Sequence, residues 1–262
     1  GQKKIGHAGT LDPMATGVLL VLLGNATKLS GYLLEGGVKT YGGTLRLGVT
    51  TDTWDAEGTV ISETALSEED LAPGSELEQA ARREVTAWLD VTEQPVPPYS
   101  AAKHQGQPLY KLARAGMEVP VKVKSIHVSH ASVQWVNMPD VRFRVTCSSG
   151  SYIRSLAHSL GIRLGCGAML TELTREYSHP FGLEVAHTLD EILAEPERLP
   201  EWIMPISAAL PGWKNISVNK RQEAHLKNGM PVPHLPEFGT FESGERALIL
   251  AQDGSPLALA EA

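Results

Sequence analysis

Apolar positions along this chain recur at the spacings of both strands and helices. Between Val141 and Cys147 they alternate with polar residues, which predicts a β-strand with one solvent-facing side. A helix is predicted directly after it, because one helical face would collect Ile153, Leu156, Ala157, Leu160 and Leu164. A turn rich in serine and glycine, 148–152, joins the two. Arg154 would then lie in the first turn of the helix, where a cation opposes the helix dipole, so a nearby carboxylate is expected to hold it.

A fully apolar run, 18–23, suits a strand buried on both faces. The twelve residues before it, Gly6–Gly17, contain glycines that allow positive φ and close approach of the backbone to a ligand. Pro13 fixes its own φ and biases Asp12 away from the α region. Asp12 is therefore predicted to be displayed on a stiff turn, anchored by the strand that follows.

Two further patterns predict structure rather than chemistry. Ser75 followed by Glu78 forms a capping-box pattern for a helix whose apolar face carries Leu77, Ala81, Val85 and Trp88. Near the C-terminus, Asn228-Gly229 and Asp253-Gly254 are dipeptides typical of hairpin turns, which predicts a small β-rich domain after Leu210-Pro211.

Length and composition limit the class of protein. A chain of 262 residues with 42% hydrophobic residues can bury one large core and a smaller second one. Only two cysteines are present, without metal-ligand spacing, which favours a reducing, cytoplasmic setting and predicts no metal site. No apolar stretch approaches the length needed to span a membrane, so no membrane association is expected.

Charge is distributed unevenly. The net charge of −7 argues against nucleic acid, but residues 52–93 alone carry a net of −10. Residues 99–127 carry a net of +4. Local potential decides phosphate binding, so this basic segment is a candidate RNA contact, although a charge run is more often a solvated surface.

The stretch Gly6–Leu19 carries one carboxylate, Asp12, which is its only plausible nucleophile. Taken alone it could equally be an ordinary glycine-rich turn. The whole stretch, however, resembles the signature of the TruB family of tRNA pseudouridine synthases. That resemblance implies an α+β fold: a catalytic domain, 1–206, with a mixed and mainly antiparallel sheet flanked by helices, and a PUA-like C-terminal RNA-binding domain, 207–262.

The resemblance extends over further blocks in family order, and these imply the catalytic residues. Asp12 corresponds to the catalytic aspartate. The family has a tyrosine two residues after a basic residue and shortly before Arg-Leu-Gly, a pattern matched here by Lys39, Tyr41 and Arg46-Leu47-Gly48. This match implies that Tyr41 stacks on the extruded uracil. Gly150-Ser151-Tyr152-Ile153-Arg154 matches a Gly-x-Tyr-x-Arg block, which implies that Arg154 pairs with Asp12 and that Tyr152 lines the uracil pocket.

The remaining matches imply substrate-binding residues. Asp55, in a Thr-Asp-Thr-x-Asp-x-x-Gly block, is expected to lie near the active-site arginine. Leu173 is expected to line the base pocket, and His7 is expected to fill the place that the flipped base vacates. Residues 99–127 correspond to a mobile segment that binds the T-arm of tRNA; we call it the thumb segment. Its candidate RNA contacts are Lys103, His104, Lys111 and Arg114.

The implied function is isomerisation of uridine 55 in the T-arm loop of tRNA, by base flipping and covalent catalysis through attack on ribose C1′ or uracil C6. No cofactor, metal or protein partner is expected, and the protein is predicted to act as a monomer. A non-catalytic tRNA-binding or RNA-folding module is the alternative. The chain starts without Met and without the family's Lys-Pro-x-Gly pattern, so it is expected to lack an N-terminal segment. The non-catalytic alternative is favoured if turnover requires that segment. A dyskerin-type ribonucleoprotein subunit and an unrelated metabolic enzyme are less consistent with the motifs.

Overall fold

The computed structural model describes residues 2–230 and 239–261, and the chain divides into two compact units, Gly1–Ala186 and His187–Ala262. This division falls earlier in the chain than the domain boundary predicted at 206/207. Residues 231–238 of the predicted C-terminal domain lie outside the described residues. Within the described ranges, no helix has the length and apolar character needed to cross a membrane.

The strands of the first unit are β1 (Ile5–Ala8), β2 (Thr16–Gly17), β3 (Leu20–Leu23), β4 (Val38–Leu47), β5 (Val49–Thr51), β6 (Val60–Glu63), β7 (Glu93–Pro95), β8 (Lys103–His104), β9 (Gln107–Pro108), β10 (Val123–Ser125), β11 (Val128–Asn137), β12 (Asp140–Ser148), β13 (Ala168–Ser178) and β14 (Phe181–Gly182). Its α-helices are α1 (Ser30–Leu34), α2 (Glu68–Leu71), α3 (Glu76–Thr86), α4 (Leu109–Arg114) and α5 (Ile153–Leu164). Short 3₁₀ turns occupy Gly24–Leu29, Ala87–Asp90 and Leu183–Val185.

One sheet organises this unit. Its strand order is β11-β12-β4-β13-β14, all antiparallel, and β2 adds to β13 in parallel. The mixed, mainly antiparallel sheet predicted for the catalytic domain is thus confirmed. The alternation at 141–147 is confirmed as well, since Val141, Phe143 and Val145 are fully buried on one face of β12.

Helices α3 and α5 cover the apolar face of that sheet, with α5 against β13 and α3 against β11. Ser75 caps α3 by accepting a hydrogen bond from the amide of Glu78, which is one half of the predicted capping box; the carboxylate of Glu78 accepts from the amide of Gly74 instead of that of Ser75. Trp88, just after α3, packs edge-to-face on Phe143 with ring centroids 4.9 Å apart. The core therefore lies directly behind the strands that carry Tyr41 and Leu173.

The apolar run at 18–23 differs from its prediction. Val18 and Leu22 are buried, but Leu19 and Val21 are 41% and 57% exposed. The physical reason is that β3 pairs only with β1, in a two-stranded antiparallel hairpin, so one face has no covering layer. The prediction of a strand buried on both faces was wrong.

The second unit contains α6 (Leu189–Ala194), α7 (Leu199–Trp202), α8 (Lys220–Lys227), β15 (Lys214–Ser217), β16 (Arg246–Leu250) and β17 (Pro256–Glu261), with 3₁₀ turns at Pro196–Arg198 and Ile206–Ala208. Strand β16 lies between β15, which is parallel to it, and β17, which is antiparallel. Asp253-Gly254 lies in the β16–β17 connection, which confirms that hairpin. Asn228-Gly229 instead ends α8, where Asn228 is the C-terminal cap, so the hairpin predicted there was wrong.

Candidate active site

Asp12 is displayed on a tight turn between β1 and β2. The amide of Ala15 donates to the carbonyl of Asp12 at 2.9 Å, which closes the turn around Pro13. Gly17 has φ +99°, and a Cβ there would lie 2.2 Å from the carbonyl oxygen of Arg175. Only glycine fits this contact with β13. The stiff turn predicted for Asp12 is therefore present, and its carboxylate retains 30% of its side-chain exposure.

Arg154 holds both oxygens of that carboxylate. Its Nη2 donates to Oδ1 of Asp12 at 2.7 Å and its Nε donates to Oδ2 at 2.9 Å. This is the bidentate fork that a planar guanidinium matches best. The arginine is only 4% exposed and lies in the first turn of α5, where it opposes the helix dipole. The carboxylate expected from that position is thus Asp12, which lies 142 residues away along the chain.

A second carboxylate and two carbonyls complete the surroundings of Arg154. Oδ2 of Asp55 lies 3.4 Å from Nε of Arg154, and Asp55 is itself buried. The carbonyl of Thr53 accepts from Nη1 at 2.9 Å, and that of Tyr99 accepts from Nη2 at 3.1 Å. Every nitrogen of the guanidinium therefore has an acceptor, so its plane and its grip on Asp12 are fixed.

Hydrogen bonds within the turn 51–58 fix the carboxylate of Asp55. Thr53 donates its hydroxyl to Oδ1 of Asp55 at 2.5 Å, and the amide of Glu57 donates to the same oxygen at 3.1 Å. Asp55 also forms a parallel β-bridge to Leu170 of β13. Asp55 thus lies near the active-site arginine, where the resemblance puts it.

Tyr41 and Leu173 are both buried in the hydrophobic core, on the neighbouring strands β4 and β13. Met14 of the Asp12 turn packs against the same core. Burial raises the pKa of Tyr41 to about 12, with Arg175 opposing that shift. Tyr41 therefore remains a neutral phenol ring below the Asp12 turn.

Sequence reasoning missed Arg175, which supports the Asp12 turn from beneath. It is fully buried, its Nε donates to the carbonyl of Val18 at 2.7 Å, and its Nη1 donates to that of Thr10 at 3.1 Å. It also lies directly across from Tyr41 in the sheet. Two signals in the sequence could have found it: it completes the Leu-x-Arg block that begins at Leu173, and it lies two residues after Leu173, on the same face of a strand.

Lys39 is a third buried cation in this region, after Arg154 and Arg175. A Cβ on Gly9, which has φ +87°, would lie 2.9 Å from Nζ of Lys39. Burial, and then the charge of Arg175, lower the pKa of Lys39. The lysine thus lies close beneath the backbone of the Asp12 turn.

Tyr152 is held by Gln94, a residue whose role the sequence did not indicate. The side chain of Gln94 is buried, accepts from the amide of Tyr152 at 2.6 Å and donates to its carbonyl at 3.1 Å. Burial raises the pKa of the half-buried Tyr152, with smaller opposing effects of Ser100 and Arg154. Two side-chain hydrogen bonds to one residue fix where α5 starts, and so where Arg154 is presented.

His7 is exposed on β1, with Nδ1 3.2 Å from the carbonyl of Gly9. It therefore lies at the surface beside the Asp12 turn rather than in the Arg154 cluster.

The thumb residues lie outside that cluster. Lys103 and His104 form the short strand β8, while Lys111 and Arg114 lie on α4. Lys103, Lys111 and Arg114 are exposed, and Arg114 lies over the ring of Tyr110 at 5.5 Å. The thumb segment connects to the site at its first residue, since Tyr99 accepts from Arg154 and donates its hydroxyl to Asp52 at 3.2 Å.

The described residues contain no group of three or more His, Cys, Asp or Glu side chains arranged to hold a metal ion. What they do bring together is one oriented, partly exposed carboxylate, Asp12, with Tyr41 and Leu173 buried on the neighbouring strands β4 and β13. Such an arrangement suits nucleophilic attack on a flat ring or on the sugar attached to it.

Comparisons with known proteins identify the family of this chain. Residues 1–153 match the family model described as TruB family pseudouridylate synthase (N terminal domain). A tRNA pseudouridine synthase B of Nitratidesulfovibrio vulgaris (strain DSM 19637 / Miyazaki F) is 63% identical over 100% of this chain and 83% of its own length. One of Pseudomonas aeruginosa (strain UCBPP-PA14) is 40% identical over 90% of this chain and 77% of its own length.

Solved structures show the same fold. A chain of an H/ACA RNP bound to a substrate RNA containing 2′-deoxyuridine aligns with 100% of this chain and 70% of its own length, at 23% identity and a TM-score of 0.62. A chain of an archaeal box H/ACA sRNP Nop10-Cbf5 complex aligns over the same shares at 22% identity and a TM-score of 0.62. At such identities the likeness concerns the fold alone. The family match over more than half of the chain, together with relatives of high identity, shows that this chain belongs to the TruB family of pseudouridylate synthases.

Proposed function

We propose that this protein isomerises uridine 55 in the T-arm loop of tRNA to pseudouridine, with Asp12 as the nucleophile. One observation carries the proposal: Asp12 is held at both oxygens by Arg154, at 2.7 and 2.9 Å, yet remains 30% exposed. A carboxylate locked in orientation but open to solvent on one side is arranged to attack a group that enters from outside.

The reaction needs no oxidant and no second substrate. The bond from N1 of uracil to C1′ of ribose breaks, a bond from C5 to C1′ forms, and the proton on C5 is released while N1 gains one. Asp12 either adds to C1′ as the glycosidic bond breaks and is displaced as C5 bonds to C1′, or adds to C6 of the base and is eliminated after the C5–C1′ bond has formed. Both routes require the same carboxylate, so the proposal does not depend on which one operates.

The residues near Asp12 support a flipped pyrimidine as the group that enters. Tyr41 is a neutral ring and Leu173 an apolar side chain on neighbouring strands, and we assign both, together with Tyr152, to the wall of the base pocket. A base removed from a folded loop loses its stacking partners, and an aromatic ring replaces them with roughly 1–3 kcal/mol per base. His7, exposed beside the turn, is the side chain we assign to the vacated place in the RNA.

Transfer RNA as the substrate is supported by the relatives, which carry the name tRNA pseudouridine synthase B. The thumb segment supports it from this chain, because Lys103, Lys111 and Arg114 are exposed. None of the three forms an ion pair with a carboxylate of the described residues. We assign these cations to phosphates of the T-arm, and we assign residues 207–262 to a PUA-like RNA-binding domain.

Tritium release from tRNA transcripts labelled with 5-tritiated uridine tests the proposal, with the purified protein alone as catalyst. We expect release of one tritium per tRNA, and none from a transcript in which uridine 55 is replaced by cytidine. Release that persists with the cytidine transcript would contradict the assigned position. Binding of tRNA without any release would favour the non-catalytic RNA-binding module instead.

A further inference from the structure

Trp54 has a backbone conformation that its side chain disfavours. Its φ is +66°, in the left-handed region, where glycine, asparagine and aspartate are the usual residues. Gln105 is the only other non-glycine residue with positive φ in the described ranges. A large side chain in this conformation persists only when surrounding contacts determine it.

The residues on each side of Trp54 bind Arg154, one through its backbone carbonyl and the other through its side chain. The preceding carbonyl, of Thr53, accepts from Nη1, and the following carboxylate, of Asp55, lies 3.4 Å from Nε. The carbonyl of Trp54 itself accepts from the amide of Leu170 at 3.1 Å. A rotation at Trp54 would therefore displace two of the acceptors that orient the guanidinium.

The ring of Trp54 binds the same helix as Arg154, one turn further on. It stacks on His158 with centroids 4.2 Å apart and planes within 6°. Residues 154 and 158 are four apart on α5 and so lie on one face. Nδ1 of His158 is buried and has no hydrogen-bond partner among the described residues, so the stack rather than a hydrogen bond orients this imidazole.

We propose that the Trp54–His158 stack is a positioning device for Arg154: it fixes the turn 51–58 on α5 so that Thr53 and Asp55 keep the guanidinium aligned with Asp12. The inference rests on the proposed function, in which Asp12 reacts. In the described ranges no hydrogen bond or ion pair joins either ring to Asp12, so we assign Trp54 and His158 as positioning residues and not catalytic ones. Their loss should slow the chemical step while leaving the affinity for tRNA in place.

Three variants of His158 test this without altering the turn itself. His158→Ala removes the stack, His158→Leu fills the space without a flat ring, and His158→Phe restores a ring that can stack. Single-turnover tritium release is measured at saturating protein, with tRNA dissociation constants and melting temperatures measured in parallel. Rates are normalised to the fraction of protein that binds tRNA, so that poorly folded protein does not count.

We expect the Ala and Leu variants to react about tenfold to a hundredfold more slowly, because small misplacements of catalytic groups have effects of this size. The dissociation constant should remain within about threefold, and the Phe variant should recover to within about threefold of the parent rate. Trp54→Asn, which tolerates the left-handed backbone but cannot stack in the same way, should be slow like His158→Ala.

A matched control removes the same kind of contact elsewhere. His187 stacks on Trp202 in the second unit, with centroids 4.7 Å apart and planes within 20°, and His187→Ala should keep the parent rate. Parent-like rates for the Ala and Leu variants of His158 would overturn the proposal. So would a loss confined to tRNA affinity, or a Phe variant as slow as the Ala variant.

Asp12→Asn separates this inference from the proposed function. If that variant still turns over at the parent rate, the proposed nucleophile is wrong whatever the His158 variants do. If Asp12→Asn is inactive and the His158 variants react normally, only the positioning role fails.

Discussion

Arg154 and the cations of the thumb segment carry the same charge in opposite surroundings. Arg154 is 4% exposed and is bound by two carboxylates and two carbonyls. Lys103, Lys111 and Arg114 are exposed, and Arg114 contacts an aromatic ring instead of a carboxylate. Buried charge must be matched locally, whereas solvated charge stays available to a partner. The first arrangement suits a fixed geometry for chemistry, and the second suits binding to phosphates.

This contrast predicts that changes in the two regions affect different quantities. A substitution near Asp12 should alter the rate of the chemical step, and a substitution in the thumb segment should alter affinity and its dependence on salt. Variants that alter both quantities together would remove the distinction.

The largest effect is expected for Arg154→Lys. Lysine keeps the charge but loses the planar fork that holds both oxygens of Asp12. We expect the single-turnover rate to fall about a hundredfold or more, with tRNA affinity little changed. Quench-flow measurement of tritium release checks this.

Arg163→Lys is the matched control for that variant, because Arg163 lies on the same helix in a partly exposed pair with Glu84. Its rate should stay within about twofold of the parent, since partly exposed ion pairs contribute little. Parent-like kinetics for Arg154→Lys would mean that the fork does not orient Asp12.

The next effect concerns Lys103, Lys111 and Arg114, replaced together by alanine. If they bind phosphates, tRNA affinity should fall for any T-arm sequence, and the slope of log K against log salt should flatten by about 0.7–0.9 per lost contact. The single-turnover rate at saturation should be unchanged. Titrations at several salt concentrations measure both quantities, and parallel salt plots for variant and parent would exclude these side chains as RNA contacts.

The smallest effect concerns stability at high pH. The pKa of Tyr41 is about 12 in the folded protein against an ordinary value of 10.0, because the phenol is buried. The unfolded chain therefore loses this proton first, and the free energy of unfolding falls as pH rises through that interval. Tyr41→Phe should reduce the fall between about pH 9.5 and 11 by about 1 kcal/mol.

Urea unfolding of Tyr41→Phe and the parent across this range provides the measurement. Identical pH dependence in the two proteins would contradict the burial of the phenol.

Local patterns predicted the local structure well. The alternation at 141–147 and the helical spacing from Ile153 gave β12 and α5, and Pro13 with its neighbouring glycines gave the turn that displays Asp12. These signals depend on neighbours within a few residues, which the sequence lists directly. The exposure of β3 was mispredicted because an apolar run does not reveal how many layers cover a strand.

The supporting residues of the site could not be predicted in the same way. Arg175 binds Thr10 and Val18 from more than 150 residues away, as the separations of 165 and 157 show. Gln94 binds Tyr152 across a separation of 58 residues. The sequence does not show which distant groups either side chain will reach, so only the folded chain reveals that each one fixes part of the site.

The central claim is that Asp12 is the nucleophile and that its orientation, not its affinity for RNA, drives the reaction. Single-turnover tritium release by Asp12→Asn, with tRNA binding measured on the same preparation, tests it most directly. We predict no detectable release and a dissociation constant within about threefold of the parent, because a nucleophile lowers the barrier and adds little to ground-state binding. Release at more than a small fraction of the parent rate would contradict it.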